Sequence, residues 1–368
     1  MQMERDGREI IHLGVGDPDF DTPQSIIDSA IECIRSSRTH YPPVPGEVDL
    51  RKAIANAYSN SIGDHFDFEQ VVIFPGAQAA LFATMLCLSG PGDEVILLEP
   101  FYATYEGVAC SGGADFITVP LSADSGFQLD VDRIASSISD KTRVILANSP
   151  GNPTGAVFSR ENWTALADLC REKNIWLISD EVYSSLVFDA EFYSPLSNAG
   201  ARSHTAVVSS VSKSHAMTGW RLGWTITGHA LAHHLDNLSQ SMVFGVSQFT
   251  QDAVTQALCE PPIAELETIR NKTRLRRNVL CDALEKIEGL TVHRPAGGMF
   301  VMVDVSASGC GGEQFAGNLL DREGIAVVPG LAFGDSALNC VRIGYLHDEQ
   351  ILKKAAGKIA RFVDDLKS

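Results

Sequence analysis

Short apolar runs alternate with amphipathic segments between Val71 and Thr227. Seven of these runs are rich in β-branched residues, and they begin at Val71, Glu94, Phe116, Arg143, Ile175, Ala206 and Gly223. Buried strands that alternate with helices are typical of a largely parallel sheet covered on both faces. The pattern therefore predicts an α/β fold, with a three-layer αβα large domain around a mainly parallel seven-stranded sheet.

A crossover helix is predicted between the fourth and fifth runs. Ser159 is a residue type that caps helix N-termini, because its hydroxyl accepts a hydrogen bond from a free backbone N–H. Trp163, Leu166, Ala167 and Cys170 follow at the helical period, so they fall on one face. We expect this face to pack on the sheet.

The pattern changes after "CEPP" (Cys259–Pro262). A long basic helix pattern follows, and then short strands, the glycine-rich "PAGGMFVMVDV" and a last amphipathic helix. This change predicts a smaller α+β domain, to which the N-terminal stretch returns. We predict a large domain over residues 36–262 and a small domain from residues 1–35 and 263–368.

Composition narrows the range of partners and locations. The 368 residues carry a formal net charge of −17, which disfavours nucleic acid or an anionic membrane surface and favours small molecules. The eight cysteines form no CxxC pair, as expected for reduced core thiols, and no apolar run reaches the roughly 20 residues that span a bilayer. We therefore expect a cytoplasmic protein. No metal site is predicted, because His233 and His234 have no third ligand at a suitable spacing.

Several predicted strands are followed by polar residues, at the edge where open parallel sheets bind ligands. After the first strand, Gly76 permits a tight turn, and Ala77 and Gln78 begin a helix whose free backbone N–H groups can bind an anion. The alternative is an ordinary glycine turn. After the second, Tyr102 either belongs to the core or stacks on a flat aromatic ligand. After the fourth, the prolines and glycines of "NSPGNPTG" form a rigid loop that fixes the orientation of Asn152. This loop is either a structural turn or a contact with a ligand.

Charged groups follow the fifth and sixth strands. Asp180 ends an apolar run, so its carboxylate needs either a partner or solvent. The alternative is that Asp180 is an ordinary helix cap. Tyr183, three residues later, adds a phenol. Burial and neighbouring cations lower the pKa of a lysine and free its amine for Schiff-base chemistry. The stretch after the sixth strand contains Ser210, Ser212, Lys213 and Arg221.

Together these residues meet the demands of one cofactor, pyridoxal 5'-phosphate. It needs a lysine for its aldehyde, a carboxylate for its ring nitrogen, partners for its phenolic oxygen and an anion site for its phosphate. Lys213 and Asp180 supply the first two. The remaining roles fall to Asn152 and Tyr183 at the phenolic oxygen, and to Gly76, Ala77, Gln78, Ser210 and Arg221 at the phosphate. Ser212 is a further candidate for cofactor binding.

The phrases "YPPVPGEVDLR", "NPTG", "SDEVY", "SKSHAMTGWRLG" and "VRIGY" occur in this order. From about Leu13 to its C-terminal region, the chain resembles the fold type I pyridoxal-phosphate aminotransferases of the aspartate aminotransferase class. The resemblance implies a ping-pong transfer of the amino group of an L-amino acid to a 2-keto acid. It also implies that Lys213 binds the cofactor and then acts as the base, that Asp180 pairs with the ring nitrogen and that Tyr102 stacks on the ring.

Further contacts with the substrate and a partner are implied by the same resemblance. Arg342 would bind the substrate carboxylate, which suits a bidentate guanidinium, with Gly16 and Asn152 beside it. Tyr41 would reach the cofactor phosphate of a neighbouring subunit, so a homodimer with shared sites is expected. Such enzymes carry a longer arm before "LGVGDPDF", so we expect the dimer clasp and the closure over substrate to differ here.

The longer phrases "VGDPDFDTP", "ISDEVYSSLVFD" and "GGMFVMVD" resemble arginine:pyruvate transaminases, which convert arginine to its 2-keto acid with pyruvate as acceptor. A guanidinium substrate needs a carboxylate in the pocket, and Asp19 and Glu106 are the candidates. For each of them, the alternative is a solvated acid in a loop.

Two other functions stay open. One is a different fold type I reaction, such as that of an aromatic or aspartate aminotransferase or a cysteine-conjugate β-lyase, and the other is a non-catalytic cofactor-binding module.

Overall fold

The computed structural model describes residues 2–367. The strands are β1 Ile11–His12, β2 Val71–Phe74, β3 Glu94–Glu99, β4 Asp115–Pro120, β5 Thr142–Asn148, β6 Trp176–Asp180, β7 Thr205–Ser210, β8 Gly223–Thr227, β9 Thr291–His293, β10 Phe300–Asp304, β11 Ile325–Ala326, β12 Val328–Pro329 and β13 Cys340–Gly344. The helices are α1 Gln2–Arg5, α2 Gln24–Arg35, α3 Val48–Ile62, α4 Ala77–Leu88, α5 Tyr105–Ala109, α6 Val131–Ser137, α7 Arg160–Lys173, α8 Val211–Ser214, α9 His229–Met242, α10 Gln248–Cys259, α11 Ile263–Leu284, α12 Gly312–Glu323 and α13 Glu349–Lys367.

The largest sheet has seven strands in the order β2-β8-β7-β6-β5-β3-β4. Neighbouring strands from β4 to β7 run parallel, and β8 is antiparallel to both of its neighbours. These strands are the seven runs predicted from the sequence, so the predicted α/β fold with a mainly parallel sheet is confirmed. Most of their side chains are buried, because aliphatic residues point to both covered faces.

Helices cover both faces of this sheet. On one face, Leu81 of α4 packs in a core with Val72 and Leu146. On the other, Trp163 of α7 packs with Ile145 in a separate core. α7 is the predicted crossover helix, and its cap is confirmed because the Ser159 hydroxyl accepts a hydrogen bond from the Asn162 backbone N–H.

A second, antiparallel sheet has the order β12-β13-β10-β9. α11, α12 and α13 contribute Leu280, Phe315 and Ile359 to its core. β1 pairs in parallel with β11 and adds Ile11 to that core. α2 instead contributes Ile26 to the core around β2 and α10. The domain boundaries at residues 35 and 262 stay predictions.

Two expectations from composition can be compared with the fold. Cys170, Cys281 and Cys340 are buried, but Cys110 and Cys259 are exposed, so a core location holds for only part of the cysteines. Within residues 2–367, no helix combines the length and the apolar character that a membrane crossing requires.

The parallel strands align the residues at their carboxyl ends. Asn148 of β5 is the register partner of Asp180 of β6, and β7 beside them ends at Ser210. Short loops after these strands therefore converge at one edge of the sheet, as expected for open α/β sheets.

Candidate active site

A cavity of about 420 Å³ lies at this edge of the sheet, where it meets β10 and β13. Gly76 does not line the cavity, but it lies against the guanidinium of Arg221, which does. Tyr41 is not among the lining residues. The predicted residues that line the cavity are Gly16, Ala77, Gln78, Tyr102, Asn152, Asp180, Tyr183, Ser210, Ser212, Lys213, Arg221 and Arg342.

Lys213 projects into the cavity from α8, the short helix that follows β7. Its Nζ donates a hydrogen bond of 2.5 Å to the backbone carbonyl of Gly16. Burial lowers the pKa of Lys213; the charges of Arg221 and Arg342 lower it further, while that of Asp17 opposes this shift. A lowered pKa increases the fraction of neutral amine near pH 7, which is the nucleophilic and basic form.

Asp180 lies at the end of β6 and is only 4% exposed. The Tyr105 hydroxyl donates to its Oδ2 at 2.7 Å, and the Val182 backbone N–H donates to its Oδ1 at 3.2 Å. Burial raises the pKa of Asp180 to about 6, although both hydrogen bonds act to lower it. Tyr105 was not predicted from the sequence, where its three-residue spacing from Tyr102 at a helix start was the one feature that could have indicated a role in the site.

Asn148 connects the loop after β5 to the neighbouring strand. Its Nδ2 donates to the Asp180 carbonyl at 2.8 Å, and its Oδ1 accepts from the Asn152 backbone N–H at 2.7 Å. Asn152 Oδ1 in turn accepts from Arg342 Nη1 at 2.8 Å. Tyr183 lies beside both Asn152 and Arg342, and burial raises the pKa of its phenol. The "NPTG" loop is therefore a fixed wall of the cavity.

The N-terminus of α4 forms a site suited to an anion. Gly76 precedes it with a φ of 88°, and the N–H groups of Ala77 and Gln78 belong to the first turn, which has no partners within the helix. Arg221 Nη1 donates to the Thr218 carbonyl at 2.8 Å, which holds the guanidinium against this turn. The φ of 88° itself favours glycine, and a Cβ at Gly76 would lie 2.3 Å from Arg221 Nη2, so any other residue would also displace the guanidinium.

Arg342 lies on β13 and is only 7% exposed. Its Nη2 donates to the Gly14 carbonyl at 2.6 Å, and its guanidinium lies 3.9 Å from the ring centroid of Phe300 and 4.7 Å from that of Phe333. Burial lowers the pKa of Arg342 to about 10, so the group keeps its charge at neutral pH. Its Nε has no hydrogen-bond partner among residues 2–367. Sequence analysis missed both phenylalanines.

The two carboxylates predicted to receive a guanidinium substrate do not line the cavity. Asp19 accepts hydrogen bonds of 2.6 and 3.0 Å from Arg276 of α11, so its carboxylate is already paired. Glu106 is exposed on α5. Tyr41 also lies elsewhere, 83% exposed, with its ring edge-to-face against Phe244 at a centroid distance of 5.2 Å.

Comparison with known proteins gives one consistent result. Residues 8–359 match the family model for aminotransferase class I and II. Arginine–pyruvate transaminase AruH of Pseudomonas aeruginosa is 46% identical over 96% of this chain and 90% of that protein. Aspartate/prephenate aminotransferase of Thermus thermophilus is 33% identical over 98% of this chain and 93% of its own length.

Solved structures extend this similarity to the fold. The aromatic aminotransferase from Pyrococcus horikoshii has a TM-score of 0.95 at 31% identity, and the alignment covers 100% of this chain and 99% of that one. The aspartate aminotransferase from Thermus thermophilus with maleate has a TM-score of 0.94 at 33% identity, over 98% and 93% of the two chains. The protein is therefore a transaminase of fold type I, and the chain belongs to the class I and II aminotransferases.

Proposed function

We propose that the cavity binds pyridoxal 5'-phosphate and that the protein uses it in a ping-pong transamination between an L-amino acid and a 2-keto acid. One observation carries the proposal: an amine, a buried carboxylate, a helix N-terminus and two guanidinium groups all face the same cavity. Each group matches a different part of the cofactor or the substrate.

The groups around Asp180 fit the cofactor ring. Among residues 2–367, one hydroxyl and one amide donate to the buried Asp180 carboxylate, and the desolvation cost that remains is reflected in its raised pKa of about 6. A protonated ring nitrogen would supply the missing positive charge, so Asp180 would hold that nitrogen in its protonated form. Asn152 and Tyr183 would bind the phenolic oxygen, and Tyr102 would lie against the ring.

The groups around α4 fit the phosphate. The N–H groups of Ala77 and Gln78 point out of the first turn, where the helix dipole also favours an anion. Ser210 and Ser212 add hydroxyl donors, and Arg221 adds a guanidinium. These five residues would hold the phosphate.

Pyridoxal phosphate, when bound, withdraws electrons from the α-carbon of the substrate, so that its proton becomes removable. Lys213 would hold the cofactor at rest, and its Nζ would then accept the α-proton and return it later in the cycle. The lowered pKa of Lys213 suits this role, since the base must be neutral to accept a proton. The Gly16 carbonyl would orient the amine through its hydrogen bond.

Arg342 would bind the α-carboxylate of both the amino acid and the keto acid. Its side chain is held in place by the Gly14 carbonyl, Asn152 and the ring of Phe300. A guanidinium fixed in this way can form two parallel hydrogen bonds to a carboxylate without losing further side-chain entropy. The substrate α-carbon would thereby be oriented toward Lys213.

We propose arginine as the amino donor and pyruvate as the acceptor. The support is the 46% identity to arginine–pyruvate transaminase AruH, compared with 33% for the Thermus aspartate/prephenate aminotransferase. Purified protein mixed with arginine and pyruvate should produce alanine without free ammonia, and double-reciprocal plots should be parallel. If aspartate or phenylalanine reacts while arginine is inert, the substrate pair is wrong. Release of ammonia from a cysteine conjugate would instead indicate β-elimination.

A homodimer with shared sites is part of the proposal. Tyr41 is 83% exposed and Phe244 is 54% exposed, and such large exposed aromatic side chains are enriched where proteins associate. Tyr41 would bind the phosphate in the partner's site. Hybrids of Tyr41→Phe and Lys213→Ala subunits should then regain activity that neither homodimer has, because one of the two sites would be intact.

We also propose a cytoplasmic location, where the eight cysteines would stay reduced.

A further inference from the structure

We propose that Asp17 binds the cationic side chain of the amino-acid substrate and thereby makes the site selective for basic amino acids. The inference rests on the proposed function and deepens it, because it assigns a residue to the substrate class. Asp17 is neither of the two carboxylates predicted from the sequence.

The backbone segment before Asp17 lies along one wall of the cavity. The Gly14 carbonyl accepts a hydrogen bond from Arg342, and the Gly16 carbonyl accepts one from Lys213. A substrate that binds as proposed places its carboxylate at Arg342 and its α-carbon beside Lys213. Asp17 is the next residue after Gly16, about 3.8 Å further along the backbone.

Asp17 is exposed and does not itself line the cavity, but its carboxylate is hydrogen-bonded to a residue of the cavity wall. Thr218 lines the cavity, and its hydroxyl donates to Asp17 Oδ1 at 2.7 Å. The negative charge of Asp17 also acts on Lys213, whose pKa it raises against the effect of burial. The carboxylate therefore lies at the rim of the cavity, close enough to Lys213 for the two charges to interact.

The second oxygen of Asp17 remains available. Within residues 2–367, Oδ2 accepts no hydrogen bond, and no arginine or lysine forms an ion pair with Asp17. The other acids near the site differ from Asp17. Asp19 pairs with Arg276, Asp180 accepts from Tyr105, and Glu106, within the described residues, accepts no hydrogen bond from a residue that lines the cavity.

A cationic substrate side chain needs an acid that no other group uses. Arg221 is assigned to the phosphate, Arg342 to the α-carboxylate and Asp180 to the ring nitrogen, so the charged groups of the cavity wall leave no acid for it. An extended arginine side chain places its guanidinium carbon about 6 Å from the α-carbon, which is within reach of a residue adjacent to Gly16. A guanidinium or ammonium group would gain a charge-assisted hydrogen bond at Oδ2.

The test compares each basic substrate with its neutral analogue of equal length: arginine with citrulline, and lysine with norleucine. In the wild type, kcat/KM should favour the basic member of each pair. Asp17→Asn should lower the arginine-to-citrulline ratio of kcat/KM by about 10- to 100-fold, mainly through KM for arginine, because one charge-assisted hydrogen bond is lost. Asp17→Glu should restore part of the ratio. Asp21→Asn, which removes another exposed carboxylate of the same segment, is the matched control and should leave the ratio unchanged.

The outcomes separate this inference from the proposed function. If arginine is a good substrate and Asp17→Asn changes the ratio by less than twofold, the role of Asp17 is wrong while the transamination of arginine stands. If the wild-type protein transaminates only aspartate or aromatic amino acids, both the arginine proposal and the role of Asp17 are wrong. The ratio of kcat/KM values for a basic substrate and its neutral analogue cancels any effect of Asp17 on the pKa of Lys213, since that effect changes both values equally.

Discussion

The hydroxyl of Tyr105 donates a hydrogen bond of 2.7 Å to the carboxylate of Asp180. The two residues are 75 positions apart, and the bond connects the start of α5 to the end of β6. It is one of two hydrogen bonds that oppose the effect of burial on the pKa of Asp180. Tyr105 therefore helps to keep that carboxylate charged.

Tyr105→Phe should weaken cofactor binding. A hydrogen bond to a charged group contributes about 1.5–3 kcal/mol, so the Kd for pyridoxal phosphate should rise about 10- to 100-fold, as measured by absorbance titration of the apoprotein. Tyr345→Phe is the control, because it removes another buried hydroxyl that donates to Gly297 outside the cavity. Equal Kd values for wild type and Tyr105→Phe would contradict the proposed contact between Asp180 and the cofactor.

Lys213→Ala should abolish turnover and leave the fold intact. Loss of a positioned general base alone costs about 10²–10⁴-fold in rate, and Lys213→Arg should not restore activity because a guanidinium stays protonated. Circular dichroism checks the fold. After borohydride treatment, mass spectrometry should find a pyridoxyl group on residue 213 in the wild type, and its absence there would refute the assigned role.

Arg342→Lys should raise KM for both the amino acid and the keto acid by about 10- to 100-fold. Lysine keeps the charge but cannot form two parallel hydrogen bonds, and it loses the contact with the Phe300 ring. Steady-state kinetics with each substrate varied in turn would measure the change. Arg322→Lys serves as a control, since Arg322 lies on α12 outside the cavity wall. A change confined to one substrate would argue against a shared carboxylate site.

The free energy of unfolding should decrease with pH because of Glu181. This residue is 2% exposed, accepts hydrogen bonds from Ser194 and Ser179, and burial raises its pKa from 4.5 to about 8. Between these values the folded state retains a proton that the unfolded state has lost. The stabilisation is therefore fully present below about pH 4.5 and is lost as the pH rises through about 8.

Glu181→Gln keeps the size of the side chain and removes this titration. The decrease in Tm between pH 5 and pH 8 should be smaller in the variant than in the wild type, as measured by calorimetry. Asp180, whose pKa is raised to about 6, contributes an effect of the same sign to both proteins. Glu191→Gln, at an exposed position, should retain the slope of the wild type. Identical slopes in all three proteins would show that Glu181 ionises normally.

Much of the fold could be predicted from the sequence. The seven strands and the capped helix α7 depend on local features, namely the spacing of apolar residues and one capping serine, which act over a few positions. The residues after each strand could also be grouped, because parallel topology brings the strand ends together. Lys213, Asp180, Asn152 and Arg221 could thus be assigned to one site from the sequence, and all four line the cavity.

By itself, then, the sequence determined the α/β architecture and which strand ends meet, because side-chain period and helix capping are local properties. The tertiary structure alone decided the partners within the site. Tyr105 meets Asp180, and Arg342 meets Asn152, across 75 and 190 positions that no local pattern connects. It also decided that Asp19 is paired with Arg276 and that Asp17 is not, because the packing of α11 against the N-terminal segment selects which carboxylate is neutralised.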